Sequence, residues 1–190
     1  MPERTCRMCR DWPGALSFAR HAHTLAPPAD ALVHALKYEG WRELAGPMAE
    51  AMARVPLPPC VPLVHRVVVP VPTTVARVRR RGYNQARLLA EGVAERLGLD
   101  LLEGLERPRA SVTQVSLHPS ERRANVKDAF AAREEAVSRL RGAHVMLVDD
   151  VLTTGATAAA AATELARVGV SEVTLLTYAR ALPFLKSPER

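Results

Sequence analysis

Cysteine and aromatic residues are scarce in this sequence, and each shortage counts against a class of protein. Three cysteines in 190 residues are too few for the disulfide framework of a small secreted domain, and they agree with a reducing compartment. Aromatic residues make up only 4% of the chain, so an extended aromatic platform for stacking single-stranded nucleic acid is not expected. The function should therefore depend neither on disulfides nor on a large stacking surface.

Long apolar runs are also missing. No stretch approaches the roughly 20 apolar residues that a membrane-spanning helix needs, although hydrophobic residues make up 48% of the chain. The first six residues, Met-Pro-Glu-Arg-Thr-Cys, contain no apolar core of a secretory signal. We therefore expect a cytoplasmic protein without a membrane span, long enough for one α/β domain with a small appendage.

Positive charge exceeds negative charge, with a formal net charge of +6 at neutral pH. A moderate excess of this sign suits polyphosphate ligands and also nucleic acid. Composition alone is equally compatible with a protein that happens to be basic. The net charge is therefore compatible with a polyphosphate ligand and with nucleic acid, and it does not distinguish between them.

The segment at residues 145–157 carries the strongest functional signal. Four apolar residues predict a buried strand, and Asp149 and Asp150 follow them. A Thr-Thr-Gly-Ala-Thr turn then opens a helix predicted over 156–168, whose N-terminal N–H groups and partial positive charge favour an anion. The pattern indicates a nucleotide-type phosphate site. The alternative is an ordinary strand end and helix cap, but a cap requires only one such residue.

This segment resembles the phosphoribosyl pyrophosphate (PRPP) motif of type I phosphoribosyltransferases. The resemblance implies that Asp149 and Asp150 hold the ribose hydroxyls, since ionised carboxylates only accept hydrogen bonds, and it makes them the candidate catalytic residues. It also implies Mg²⁺ bound together with PRPP, because this hard cation prefers oxygen ligands. The 5′-phosphate would lie against Thr153, Thr154, Gly155, Ala156 and Thr157.

Strand and helix signals alternate along the rest of the chain. They predict an α/β fold with a twisted, mainly parallel sheet flanked by helices; with the PRPP motif, this implies the type I phosphoribosyltransferase fold. We expect an irregular segment at 1–28, a helical hood-like region with a proline-rich connector at 29–62, and a core domain at 63–190. Helices are predicted at 30–38, capped by Asp30, and at 43–54 and 82–97. Strands are predicted at 67–72, 99–102, 144–149 and 172–177.

Two loops supply further candidates. In type I enzymes the pyrophosphate loop follows the first core strand, and Thr73 and Thr74 occupy that position here. A basic run follows, formed by Arg77, Arg79, Arg80 and Arg81. Arg79, Arg80 and Arg81 are candidates for pyrophosphate or for a nucleic-acid phosphate, and Lys37 is a candidate for pyrophosphate. The alternatives are a turn or helix cap for the threonines, a solvated helix face for the arginines and a snorkelling side chain for Lys37.

The basic stretch at 107–127 lies where these enzymes carry a mobile hood that closes over PRPP. Its candidate residues are Arg109, Gln114, Arg122, Arg123 and Asn125. The run Glu-Arg-Arg at 121–123 is equally compatible with the start of a helix that makes surface ion pairs.

Several segments narrow the resemblance. They are Leu-Lys-Tyr-Glu-Gly at 36–40, Arg-Gly-Tyr-Asn-Gln at 81–85, Thr-Gln at 113–114 and Glu-Arg-Arg-Ala-Asn at 121–125. In this order they are similar to the ComF family of competence-associated phosphoribosyltransferase-like proteins, over roughly residues 30–180. The resemblance implies a PRPP-binding protein of natural transformation, with single-stranded DNA and competence proteins as partners. It also implies a pentosyl-transferring glycosyltransferase whose acceptor the sequence does not identify.

Two other functions stay open, a nucleobase salvage phosphoribosyltransferase and a non-catalytic DNA-binding competence factor. Members of the ComF family usually begin with a four-cysteine zinc module, and this chain departs from that pattern. Cys6 and Cys9 form one Cys-x-x-Cys pair, which is half of a tetrahedral zinc site. The N-terminal region is thus either a remnant zinc module or a segment without zinc.

Overall fold

A five-stranded parallel sheet forms the centre of the protein. The computed structural model describes residues 12–57, 66–108 and 129–182. The sheet has the strand order β1-β7-β6-β2-β3, and every pair of neighbours is parallel. Its strands are β1 (Leu16–Thr24), β2 (Arg66–Pro70), β3 (Asp100–Leu101), β6 (His144–Leu152) and β7 (Glu172–Arg180). Two short strands, β4 (Leu105–Glu106) and β5 (Ala131–Ala132), pair antiparallel beside it.

Helices cover both faces of this sheet. They are α1 (Ala29–His34), α2 (Ala45–Ala53), α3 (Val75–Arg81), α4 (Gln85–Leu97), α5 (Val137–Leu140) and α6 (Ala156–Arg167). A π-helical turn, Ala35–Glu39, continues α1. The amide of Ala86 donates to the Asn84 side chain at the start of α4, and the helix ends at Gly98 with a positive φ of 63°, the usual way to satisfy both helix ends.

Side chains of the central strand β6 alternate between two apolar layers. Val145 and Leu147 pack in one layer with α6, while Met146 and Val148 pack in the other with α1, α2 and α4. All four are at most 1% exposed, and burying each contributes about 1.5–3 kcal/mol. The two layers fix which face of the sheet each residue of β6 meets.

A crevice forms where β2 and β6 end. Strand β2 stops at Pro70, opposite Val148, whereas β6 continues alongside β7 to Leu152. The chain leaves β2 through α3 and α4 toward β3, and it leaves β6 through α6 in the opposite direction, toward β7. In open parallel sheets, ligands bind at the carboxyl ends of two strands whose connections diverge in this way.

The α/β class and the predicted helices and strands are confirmed, with shifts of a few residues at their ends. Asp30 lies in the first turn of α1 and its carboxylate accepts from the next amide, but the capping position is Pro28. Helix α3 and the β4–β5 pair were not predicted. Within the three described ranges, no helix is both long and apolar enough to cross a membrane.

Two predictions about strands are wrong. The segment expected to be irregular, 1–28, contains β1, which pairs with β7 over almost its whole length. As an edge strand it is only partly buried and carries arginine and histidine, so it shows no apolar run. The acid pair does not end β6, because β7 supplies backbone partners as far as Arg180.

Candidate functional site

A cavity of about 450 Å³ lies in the crevice between the ends of β2 and β6. The π-helical turn after α1 forms one wall, the loop after β2 another, and the end of β6 with the turn into α6 a third. Residues predicted for the site that line it are Lys37, Thr73, Arg81, Asp149, Asp150, Thr153 and Thr157. The fold thus brings together three segments that are far apart in the sequence.

The two acids of the motif stand just beyond the end of β2. Consecutive residues of a strand point to opposite faces, so Asp150 points toward the layer of α1 while Asp149 points toward that of α6. Asp150 is 4% exposed. Its Oδ1 lies 2.9 Å from Nζ of Lys37, and its Oδ2 is buried without a hydrogen-bond partner among the residues the structure describes. Asp150 thus keeps one buried acceptor that no hydrogen bond in the described residues uses.

Asp149 binds a proton more tightly than an ordinary aspartate does. Burial and, next, the negative charge of Asp150 raise the pKa of Asp149 to about 7 from its ordinary 3.8. A hydrogen bond from the Asp150 N–H to Asp149 Oδ1, 2.9 Å long, and the charges of Lys37 and Arg107 oppose the rise. Near neutral pH Asp149 is therefore partly protonated.

The Arg-Gly-Tyr-Asn-Gln segment anchors the walls of the cavity. The buried Tyr83 hydroxyl donates to the carbonyl oxygen of Leu36, next to Lys37. The guanidinium of Arg42 lies 4.6 Å from the Tyr83 ring centroid. Asn84 donates from Nδ2 to the Val71 carbonyl oxygen at 3.0 Å, which ties the loop after β2 to the start of α4. The segment thus holds two walls at once.

The two threonines of the predicted pyrophosphate loop have different roles. Thr74 caps α3, because its Oγ1 accepts from the amide of Arg77 at 3.3 Å. Thr73 lines the cavity, and its buried Oγ1 has no partner in the described part of the chain. The capping alternative therefore applies to Thr74, and Thr73 is left as the candidate ligand contact.

The arginines of the basic run also differ in position, since two line the cavity and two are exposed on α3. Arg77 and Arg81 line the cavity, and Arg81 donates to the side-chain oxygen of Gln85 while lying 5.2 Å from the Tyr38 ring centroid. Arg79 and Arg80 are exposed on α3 and do not line the cavity. Only half of the run therefore faces the candidate ligand.

The turn predicted to hold the 5′-phosphate opens α6. Thr153 and Thr157 line the cavity, while Thr154, Gly155 and Ala156 lie in the same turn but off its wall. Gly155 has a φ of +82°, and a Cβ built there would come within 2.9 Å of the Trp12 ring. Glycine is required at this position both for the backbone conformation and for the close approach of Trp12.

Several residues that line the cavity were not predicted for the site, among them Arg107, Tyr38 and His34. Arg107 Nε donates to the Pro72 carbonyl oxygen at 2.9 Å, and its guanidinium lies 4.4 Å from the Phe130 ring centroid. Burial and then the charge of Arg77 lower the pKa of Arg107, against the attraction of Asp149. Its position at the very start of the predicted hood stretch was the available signal.

The remaining predicted site residues lie outside the described ranges. They are the cysteines Cys6 and Cys9 and the hood residues Arg109, Gln114, Arg122, Arg123 and Asn125, and their roles stay predictions. Within those ranges, no group of three or more His, Cys, Asp or Glu side chains could hold a metal ion. The acid pair supplies two carboxylates, and Lys37 contacts one of them.

Residues 60–182 match the phosphoribosyl transferase domain family. A protein of Salmonella typhi, "DNA utilization protein YhgH", is 33% identical over 186 residues, covering 95% of this chain and 80% of that protein. "Competence protein F" of Haemophilus influenzae is 38% identical over 117 residues, covering 60% of this chain and 50% of that protein. Fold and sequence together define a phosphoribosyltransferase-like domain.

Within that class the chain belongs to the ComF family, as the similarity to these relatives shows. The glutamine PRPP amidotransferase of B. subtilis, whose structure was determined with ADP and GMP, superimposes with a TM-score of 0.50 at 19% identity over 75% of this chain and 30% of that one. This likeness concerns the fold alone, and it agrees with the type I phosphoribosyltransferase fold predicted from the sequence.

Proposed function

We propose that this protein binds PRPP in the cavity between β2 and β6 and acts, as a phosphoribosyltransferase-like protein, in the uptake of single-stranded DNA during natural transformation. One juxtaposition supports PRPP most directly. One cavity is lined by the acid pair, by Thr153 and Thr157 at the start of α6, and by the cations Arg77 and Arg107. A diol that carries two phosphate groups calls for these three kinds of partner.

The residues fit the parts of PRPP one by one. The ribose hydroxyls would donate to Asp149 and to the free Oδ2 of Asp150. The 5′-phosphate would lie at the N-terminus of α6, where the helix field favours an anion. The pyrophosphate would lie near Thr73 and Arg107. The fixed positive charge of Arg107 would stabilise the negative charge that develops on the pyrophosphate as it departs. In the transfer the bond between ribose C1 and pyrophosphate would break through an oxocarbenium-like state beside the acid pair, pyrophosphate would leave with the bonding electrons, and a nucleophilic acceptor would form the new bond to C1.

Mg²⁺ bound with PRPP would add positive charge to the pyrophosphate. Its ligands would come from PRPP oxygens and water, as this cation usually retains water, because the protein's own donor set is incomplete in the described residues. The contribution of Asp149 and Asp150 would be to orient the ribose hydroxyls.

Calorimetry tests the proposal. We expect the wild type to bind PRPP with Mg²⁺, and Asp150→Asn to weaken binding by at least about tenfold, because the ribose loses a charged acceptor. Asp100→Asn is the matched control, since Asp100 pairs with Arg139 at the opposite end of the sheet. Absence of PRPP binding in the wild type, or equal binding by Asp150→Asn, contradicts the proposal.

The DNA part of the proposal rests on the names of the two relatives and on helix α3. None of the residues of α3 is buried, and it presents Arg79 and Arg80 to solvent beside the cavity. Arginine pairs well with phosphate, and a contact through phosphates requires no large aromatic surface. Binding of single strands should then weaken steeply as salt concentration rises. This contact would also serve a non-catalytic competence factor.

Nucleobase salvage is the second candidate function, and one observation favours it. The Tyr38 ring is 60% exposed and lines the cavity, where a flat base could stack on it. Tyr178 is buried in the core beside His23 and does not line the cavity. A turnover screen with PRPP and free purine and pyrimidine bases decides: formation of a nucleotide supports salvage, and no turnover with any base removes it.

A further inference from the structure

We infer that Lys37 takes the place of a metal cation on the acid pair, so that the cavity binds a ribose phosphate without Mg²⁺. The inference rests on the proposed function and assigns a property to the same site. It begins from a direct contact: Nζ of Lys37 lies 2.9 Å from Oδ1 of Asp150. Both charged groups are largely removed from solvent, because the lysine side chain is 21% exposed and Asp150 is 4% exposed.

The lysine is held in place rather than simply long enough to reach. Leu36, the preceding residue, is 1% exposed, and its carbonyl oxygen accepts a hydrogen bond from the buried Tyr83 hydroxyl. The turn carrying Lys37 is π-helical, a rare conformation that occurs mostly as single turns and often at functional sites. A side chain on an anchored turn supplies a cation whose position does not depend on free metal.

Lys37 uses only one of the carboxylate oxygens that the acid pair offers. Lys37 contacts only Oδ1 of Asp150, while Oδ2 has no partner in the part of the chain that the structure describes. Asp149 lines the cavity as well. A ribose diol that enters the cavity would meet Asp149 directly. Asp150 keeps its Oδ1 on the ammonium and offers the buried Oδ2 as the acceptor that is still unused.

A divalent cation at the same acids would meet opposition from the protein. It would approach the ammonium of Lys37, and like charges in a partly buried site repel strongly. The described residues also offer no third carboxylate, histidine or cysteine within a common cluster. The Lys37 side chain thus compensates the charge of the acids. Mg²⁺ would then bind to the pyrophosphate of a ligand such as PRPP and not to the acids.

Calorimetry with ribose 5-phosphate, which has no pyrophosphate to chelate Mg²⁺, tests this directly. We expect the wild type to bind equally, within about threefold, in excess EDTA and in millimolar Mg²⁺. Lys37→Met should bind about tenfold more weakly in EDTA, the change expected for one charge-assisted contact, and should recover affinity when Mg²⁺ is added. Lys37→Arg, which keeps the charge, should resemble the wild type.

Arg81→Met is the matched control, since Arg81 lines the same cavity but pairs with Gln85 rather than with the acids. It should lower affinity without creating a dependence on Mg²⁺. Wild-type binding that requires Mg²⁺, or Lys37→Met binding that stays independent of it, overturns the role of Lys37 while leaving PRPP binding intact. A wild type that binds neither ribose 5-phosphate nor PRPP under either condition overturns both proposals.

Discussion

The two sides of the cavity are built in opposite ways. The acid pair stands on a strand that lies between two apolar layers, and Asp150 is almost wholly buried against Lys37. Helix α3, which brings the basic run to the other side, buries none of its residues and is held at its start by the cap of Thr74. Charges on the first side depend on each other, whereas charges on the second are stabilised mainly by water.

This difference has a physical consequence. Removing a charged group from water is costly unless a partner compensates for it, so a change at one acid should alter the other acid, Lys37 and the stability of the fold. An exposed arginine loses little when a neighbour changes, because exposed charges interact weakly through water and salt. The acid side should therefore be sensitive to pH and substitution, and α3 should be tolerant of both.

The largest effect should come from titration of Asp149. Its pKa is raised to about 7 in the folded protein, so the folded state holds this proton more tightly than the unfolded state. Its contribution to stability is full below about pH 4 and is lost as pH rises through about 7, a change of roughly 2–4 kcal/mol. Urea unfolding across this range should show the fall in the wild type and a smaller fall in Asp149→Asn. Parallel pH profiles for the two proteins would contradict the expectation.

A second effect should follow from removing Lys37. Lys37→Ala leaves Asp150 buried without its partner, which should lower the free energy of unfolding by about 2 kcal/mol. The lysine is one-fifth exposed, and this moderates the cost of a fully buried pair. Arg80→Ala on α3 is the comparison, because an exposed arginine should change stability by less than about 0.5 kcal/mol. If urea unfolding gave Lys37→Ala and Arg80→Ala the same loss of unfolding free energy, the acid side would be no more sensitive to substitution than α3.

Arg107 adds a third case to this comparison. It is a cation, as the arginines of α3 are, but protein groups surround it, as they surround the acids. The Pro72 carbonyl and the Phe130 ring hold it at the cavity. If it contacts the pyrophosphate, Arg107→Met should weaken PRPP binding by about tenfold while changing ribose 5-phosphate binding by no more than about twofold. Calorimetry with both ligands measures this ratio. An equal loss for the two ligands would mean that Arg107 supports the loop and does not select the ligand.

The site was predictable from the sequence to the extent that it is local. Residues 145–157 carry an apolar run, the two acids, a turn and the start of a helix in succession, so their pattern indicated a phosphate site before any packing was known. The contact of Lys37 with Asp150 joins two distant segments through the sheet topology and the Tyr83 anchor. No local pattern contains that information, and Lys37 was accordingly predicted for the pyrophosphate.

The fold shows the same division. Buried central strands such as β6 carry continuous apolar runs, and they were predicted. Edge strand β1 and the short strands β4 and β5 carry no long apolar run, and they were missed. The short edge strand β3 was predicted, because Leu99, Leu101 and Leu102 surround its Asp100. The split between Thr73 and Thr74 likewise depends on where α3 begins, which the basic run alone did not indicate.

The smallest effect on stability, and the clearest on DNA, should come from α3. Arg79→Gln with Arg80→Gln should change the free energy of unfolding by less than about 0.5 kcal/mol, because neither side chain is buried. If both contact phosphates of a single strand, the logarithmic dependence of DNA affinity on salt should become shallower by about 1.4. Arg141→Gln is the control, since exposed Arg141 precedes β6 at the opposite end of the sheet, and it should leave the slope unchanged. An unchanged slope in the α3 variant would place DNA elsewhere on the protein, while a large loss of stability would show that α3 is not the solvated element described above.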